Sequence, residues 1–172
     1  FNPFFIILFG SIFSIMWVKL SQIGKNPSIP LKFCFGIVQL ALGFLLTKLG
    51  FQFVNEAYQV PILTLVFLYM LHTSGELFLS PIGLSMVTKL SPKSMAGTAM
   101  GAWFLSFAIA NYAGGKIAAI TGGHGGGEVV SAEAGLLQYL DVFSTIGYVL
   151  LVIAAIIFLL NKPIKKLMHG VE

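Results

Sequence analysis

Five apolar runs, each about as long as a bilayer is thick, divide this chain and leave only short connections between them. A helix needs about 20 apolar residues to cross roughly 30 Å of hydrocarbon, and residues 3–20, 30–49, 61–89, 95–120 and 142–160 have that character. In lipid every backbone N–H and C=O must be satisfied within the segment, so isolated runs of this kind form helices. The expected fold is therefore an all-α membrane protein with five transmembrane helices, forming one bundle over residues 1–172. Amphipathic periodicity is not required of them, because lipid and protein interior are both apolar. Length alone decides the element type.

Composition excludes the competing classes. Hydrophobic residues make up 57% of the chain and charged residues 9%, with a mean hydropathy of +0.93, a balance that no soluble domain sustains. The net charge of +4 comes from lysines scattered at the ends of apolar runs, without the dense basic face that nucleic acid requires. The single cysteine, Cys34, permits no internal disulfide and no thiolate metal site. The chain opens on Phe1-Asn2-Pro3 with no basic stretch before the first apolar run, so no signal peptide is expected, and a preceding part of a longer protein is.

The lysines orient the spans. Eight of the ten lie in three connections, Lys19 to Lys32, Lys89 to Lys93 and Lys162 to Lys166, while Lys48 and Lys116 lie at the opposite side. The positive-inside rule makes those three connections cytoplasmic, and with them the C-terminus. The connection at residues 89–94 is short and contains Pro92, which suits two closely spaced antiparallel helices. The glycine run at residues 122–127 suits a linker; it carries neither phosphate-loop nor dinucleotide spacing.

Glu76 stands out against this background. It lies mid-run with no basic residue near it, and a charged side chain at a helix centre costs roughly 2.5–3.5 kcal/mol on insertion scales, so an intramembrane acid is a functional-site candidate by default. Positions four apart share a helix face, which places His72, Glu76 and Ser80 on one stripe with Thr73 and Ser74 beside it. Pro81 removes a backbone donor one turn from the acid. His72 and Glu76 do not form the His-Glu-x-x-His pattern, and no metal or other cofactor is expected. Trp103 sits too deep in its span for the interfacial belt, either as core packing or as a pocket wall, whereas Trp17 near Lys19 suits an interfacial anchor. Gln39 and Asn111 suit interhelical hydrogen bonds. Asn2, taken alone, reads as the N-cap before Pro3.

The run Ser74-Gly75-Glu76-Leu77-Phe78-Leu79-Ser80-Pro81-Ile82-Gly83-Leu84-Ser85, then Thr88-Lys89-Leu90-Ser91-Pro92-Lys93 and Trp103-Phe104-Leu105-Ser106, resembles the proton-dependent oligopeptide transporter family of the major facilitator superfamily. Phe1-Asn2-Pro3-Phe4-Phe5-Ile6-Ile7 and Asn26-Pro27-Ser28-Ile29-Pro30-Leu31-Lys32-Phe33 extend the resemblance over nearly the whole chain. It implies that the five spans correspond to the eighth through twelfth helices of a symporter that imports di- and tripeptides across the inner cell membrane, with the proton as coupling ion. In such a protein Glu76 pairs with the peptide's amino terminus, Ser80 lies one turn along the pocket wall, Asn2 binds polar backbone or terminal groups, and Trp103 lines a side-chain pocket. The family's first-helix glutamates and arginine are not in this chain, so its expected partners are the lipid bilayer, the peptide and an N-terminal bundle of the same protein. Two other classes compete: a membrane enzyme using His72 and Glu76 as an acid–base pair, and a non-transporting scaffold in which Glu76 makes a structural hydrogen bond.

Overall fold

A computed structural model describes residues 1–121 and 131–169, all helices and connecting turns. In chain order the helices are α1 (Asn2–Gln22), α2 (Ile29–Phe51), α3 (Ile62–Leu90), α4 (Ala96–Thr121), α5 (Ala132–Leu159) and the short α6 (Asn161–Leu167), with a single 3₁₀ turn, Lys93–Met95, leading into α4. By length and composition α1, α2, α3 and α5 can each cross a membrane. α4 has 26 residues, enough to span, but Trp103, Asn111, Tyr112 and its glycines dilute its apolar character. The glycine run at residues 122–127 lies outside the described residues.

Helix starts follow local chemistry. α1 and α2 carry Pro3 and Pro30 in their first turns, where the missing N–H costs nothing. α5 begins ten residues before the expected 142, because the Ser131 hydroxyl accepts the Ala134 N–H at 3.2 Å and Glu133 adds a favourable charge to the first turn. Pro81 is accommodated inside α3, which continues to Leu90.

α2 is the hub, packed between α3 and α5, while α1 leans on α3 and α4 touches the rest sparingly. Glycines recurring every seven residues make this possible: Gly36, Gly43 and Gly50 present one stripe of α2 to α3. A Cβ at Gly36 would lie 2.9 Å from the Gly75 carbonyl oxygen, one at Gly43 2.7 Å from Nε2 of His72, and one at Gly50 2.9 Å from Cβ of Thr64. On the other side of α2, a Cβ at Gly147 of α5 would meet Leu45 at 2.8 Å, and the Cys34 thiol donates to the Ala154 carbonyl at 3.4 Å.

α1 meets α3 through rings. Phe5, Phe9 and Phe13 stack at successive turns with centroids 5.7 and 5.6 Å apart, and Phe13 and Trp17 straddle Phe78 of α3 at 5.0 and 5.1 Å, edge to face. Trp17 therefore packs inward as well as lying near the lysine-rich end, with the Lys32 ammonium 4.8 Å from its ring. α6 folds back beneath that end: Ser28 donates to Asn161 at 2.6 Å, and Met168 is buried.

Candidate functional site

Helix periodicity and packing together decide what surrounds Glu76. Tyr69, Glu76 and Gly83 are seven residues apart on α3 and so share one stripe, each about 10 Å from the next along the axis. The outer two are touched by neighbouring elements. Phe1, next to Asn2 at the start of α1, reaches Tyr69 with ring centroids 6.2 Å apart. The Trp103 indole lies against Gly83, where a Cβ would fall 2.5 Å from its Cζ2. Between them Glu76 is exposed, and no described residue pairs with it. Ser80, one turn along α3 from Glu76, is half-buried, and Asn2 is half-buried next to Phe1 at the Tyr69 end.

The stripe expected for His72, Glu76 and Ser80 divides at its first member. His72 is turned toward α2: its ring lies 4.5 Å from that of Phe44, over the surface left by Gly43, and its Nε2 is buried with no partner among the described residues. Thr73 is fully buried, with its hydroxyl likewise unpartnered, so neither side chain lines the open face in this conformation. The rotation of 100° per residue explains the split, because four residues advance 40° past a full turn and the glycine stripe of α2 lies on that side. The Ser74 hydroxyl donates to the Gln39 side chain across the same seam, with the Leu71 carbonyl at 3.0 Å as the alternative acceptor of its one proton, so the interhelical role expected of Gln39 is the one it has. Asn111 instead donates to Phe107 of its own helix at 2.8 Å.

Trp103 is the only half-buried side chain between Gly101 and Ala119 of α4, and its Nε1 is enclosed without a partner among the described residues. It anchors α4 on α3 at the end of the Glu76 stripe. What sequence reasoning missed is the glycine stripe of α2. The signal was the seven-residue spacing of Gly36, Gly43 and Gly50, which is visible only when glycines are counted by helix face. Among the described residues no group of three or more metal-ligating side chains converges.

Together these features define a polytopic α-helical membrane protein that presents a mid-span carboxylate on an open helix face. The sequence profile of the POT family matches residues 1–126, and the chain belongs to that family. It is 37% identical over 169 residues to dipeptide and tripeptide permease A of Edwardsiella piscicida, covering 98% of this chain and 34% of the permease. It is 35% identical over 174 residues to the uncharacterized transporter YclF of Bacillus subtilis, covering 99% of this chain and 31% of that one. The solved structure of a peptide transporter POT in complex with sulfate matches with a TM-score of 0.80 at 32% identity, over 98% of this chain and 31% of that chain. The chain thus spans about a third of the length of these relatives. They are transporters rather than enzymes, and His72 and Glu76 face different ways, so the acid–base pair of a membrane enzyme is set aside.

Proposed function

We propose that this chain is the C-terminal part of a proton-coupled symporter that imports di- and tripeptides by alternating access, and that Glu76 holds the substrate's ammonium group. The observation that carries the reading is a carboxylate left unpaired and open at mid-span, inside the motif that resembles the peptide transporters. Family membership and the permeases among the relatives support the substrate class. An ammonium beside a carboxylate gains far more in a low-dielectric cavity than in water, and it removes the cost of the lone charge.

Distances along α3 refine the binding mode. An extended chain spans at most about 3.3–3.6 Å per residue, so a tripeptide reaches about 10 Å. Anchored at Glu76, it extends either to the Asn2 end of the stripe or to the Trp103 end, with Ser80 beside its first residue in the second case. The open face would meet the remaining helices of a polypeptide as long as its relatives, and rocking of the two parts about a midplane site would alternate access. The lysine-rich end, with α6, would face the cytoplasm of a cell whose inner membrane holds the protein.

The test is proton-gradient-driven uptake of labelled dialanine by the full-length protein in proteoliposomes, wild type beside Glu76→Gln. Losing a charge-assisted contact of about 1.5–3 kcal/mol lowers apparent affinity about 10- to 100-fold. Uptake by the wild type alone supports the reading. Equal uptake by both makes Glu76 structural, and failure of both, in uptake and in counterflow, removes the substrate class.

A further inference from the structure

At the end of the bundle opposite α6, α2 and α5 enclose a crevice of about 470 Å³. We propose that it binds the headgroup of a zwitterionic phospholipid with a primary ammonium, of the phosphatidylethanolamine type. The register of the two antiparallel helices follows from the contacts of Cys34 with Ala154 and of Ala41 with Gly147, and it brings Lys48 level with Leu140 and Asp141. Both charged residues line the crevice, yet no ion pair joins them. The Lys48 ammonium instead donates to the Tyr148 hydroxyl at 3.2 Å and lies 5.1 Å from the centre of that ring. Asp141 has no partner among the described residues. Opposite charges near a bilayer surface attract more strongly than in water, so a pair held apart across a gap suits a guest that is itself dipolar.

The rest of the lining fits the same guest. Ser144 is 5% exposed, and its buried hydroxyl oxygen has no hydrogen-bond partner among the described residues although the residue lines the crevice. An unsatisfied buried hydroxyl is uncommon and calls for a polar occupant. Lys48 uses one of three donors on Tyr148 and keeps two for a phosphate, while Asp141 accepts from the primary ammonium and Gln52 offers an amide at the mouth. Phe51 and Leu140 supply apolar walls for the glycerol region. Leu49 beside Lys48, and Tyr148, Val149 and Val152 further along α5 toward mid-span, are each more than half exposed on spanning helices, an apolar surface that lipid would cover and a soluble zwitterion would not use.

Native mass spectrometry of the full-length protein, titrated with phosphatidylethanolamine, phosphatidylcholine and phosphatidylglycerol of matched acyl chains, tests the site. Phosphatidylcholine has no N–H for Asp141 and phosphatidylglycerol no cation, so phosphatidylethanolamine should be retained about tenfold better than either, the worth of one charge-assisted bond. Asp141→Asn and Lys48→Gln should each abolish that preference. The exchanged double variant, Lys48→Asp with Asp141→Lys, should restore it, which separates a lost site from a lost fold. Equal retention of the three lipids by wild type, or a preference surviving both single variants, overturns the proposal. Saturation by free phosphoethanolamine with no gain from acyl chains overturns the lipid assignment, and so does displacement of the lipid by dialanine.

Discussion

α2 and α4 are alike in length, at 23 and 26 residues, and both are glycine-bearing apolar helices, yet one is the hub of the bundle and the other stands almost free. The difference lies in which face the glycines share. In α2 they recur at seven residues and every one admits a neighbour: Gly75 at Gly36, His72 at Gly43, Thr64 at Gly50. In α4, Gly97 and Gly101 form the four-residue spacing associated with close helix pairs, but nothing lies within 4 Å of a Cβ at either, nor at Gly114 or Gly115. Small residues permit close approach without causing it. What seats α4 on α3 is Trp103, packed on Gly83.

Substitutions can break this comparison. Gly36→Leu has the largest expected effect, because the nearest obstacle is the Gly75 backbone, which cannot rotate away; overpacking of this kind costs about 3 kcal/mol, the upper end of the usual range. The unfolding midpoint of the chain in detergent should fall accordingly, and an unchanged midpoint would show that the α2–α3 seam is loose. Trp103→Ala comes next: it should cost about 2 kcal/mol, less than a fully buried tryptophan would. Its effect should appear as faster amide hydrogen exchange in α4 with α2 unchanged, whereas uniform loosening would make α4 part of the hub. Gly101→Leu should change the unfolding free energy of this 172-residue chain by no more than about 0.5 kcal/mol, as for a surface position, and leave the midpoint nearly where it is.

The smallest effect concerns the way the connection after α2 is tied down. The Tyr58 hydroxyl donates to Glu133 at 3.0 Å, joining that connection to the start of α5, and the bond and the carboxylate's charge together raise the Tyr58 phenol above its ordinary value. A group raised on folding stabilises the fold below its unfolded range, about pH 10, and that contribution is lost as pH rises through the folded value. Glu133→Gln should therefore bring the Tyr58 titration, followed by ultraviolet absorbance, back toward that of a free phenol. An unaltered titration would mean that the two ends are not joined in solution.

Much of the fold was legible because bilayer thickness imposes a length and apolar composition supplies the class. The helices at residues 2–51 and 62–90 follow the apolar runs closely for that reason, while the start of α5 was hidden because its first turns are polar and its signal is a serine cap rather than hydropathy. Glu76 was legible as a candidate because one carboxylate in hydrocarbon is costly wherever the helix points. Its open setting between the Phe1 and Trp103 contacts was not, since that depends on where α1 and α4 dock. His72 and Thr73 illustrate the same limit: spacing placed them beside Glu76, but His72 packs on the glycine stripe of α2 and Thr73 is fully buried.

The sequence by itself determined that this protein spans a membrane as helices, that its lysines gather at one end and that its mid-span acid is Glu76. These follow from transfer free energies, which each residue carries with it wherever it is placed. Only the tertiary structure decided that α2 is the hub, that His72 is packed away while Glu76 stays open, and that Lys48 and Asp141 flank one crevice without pairing. Those depend on helix rotation and approach, and the packing of several helices at once sets both.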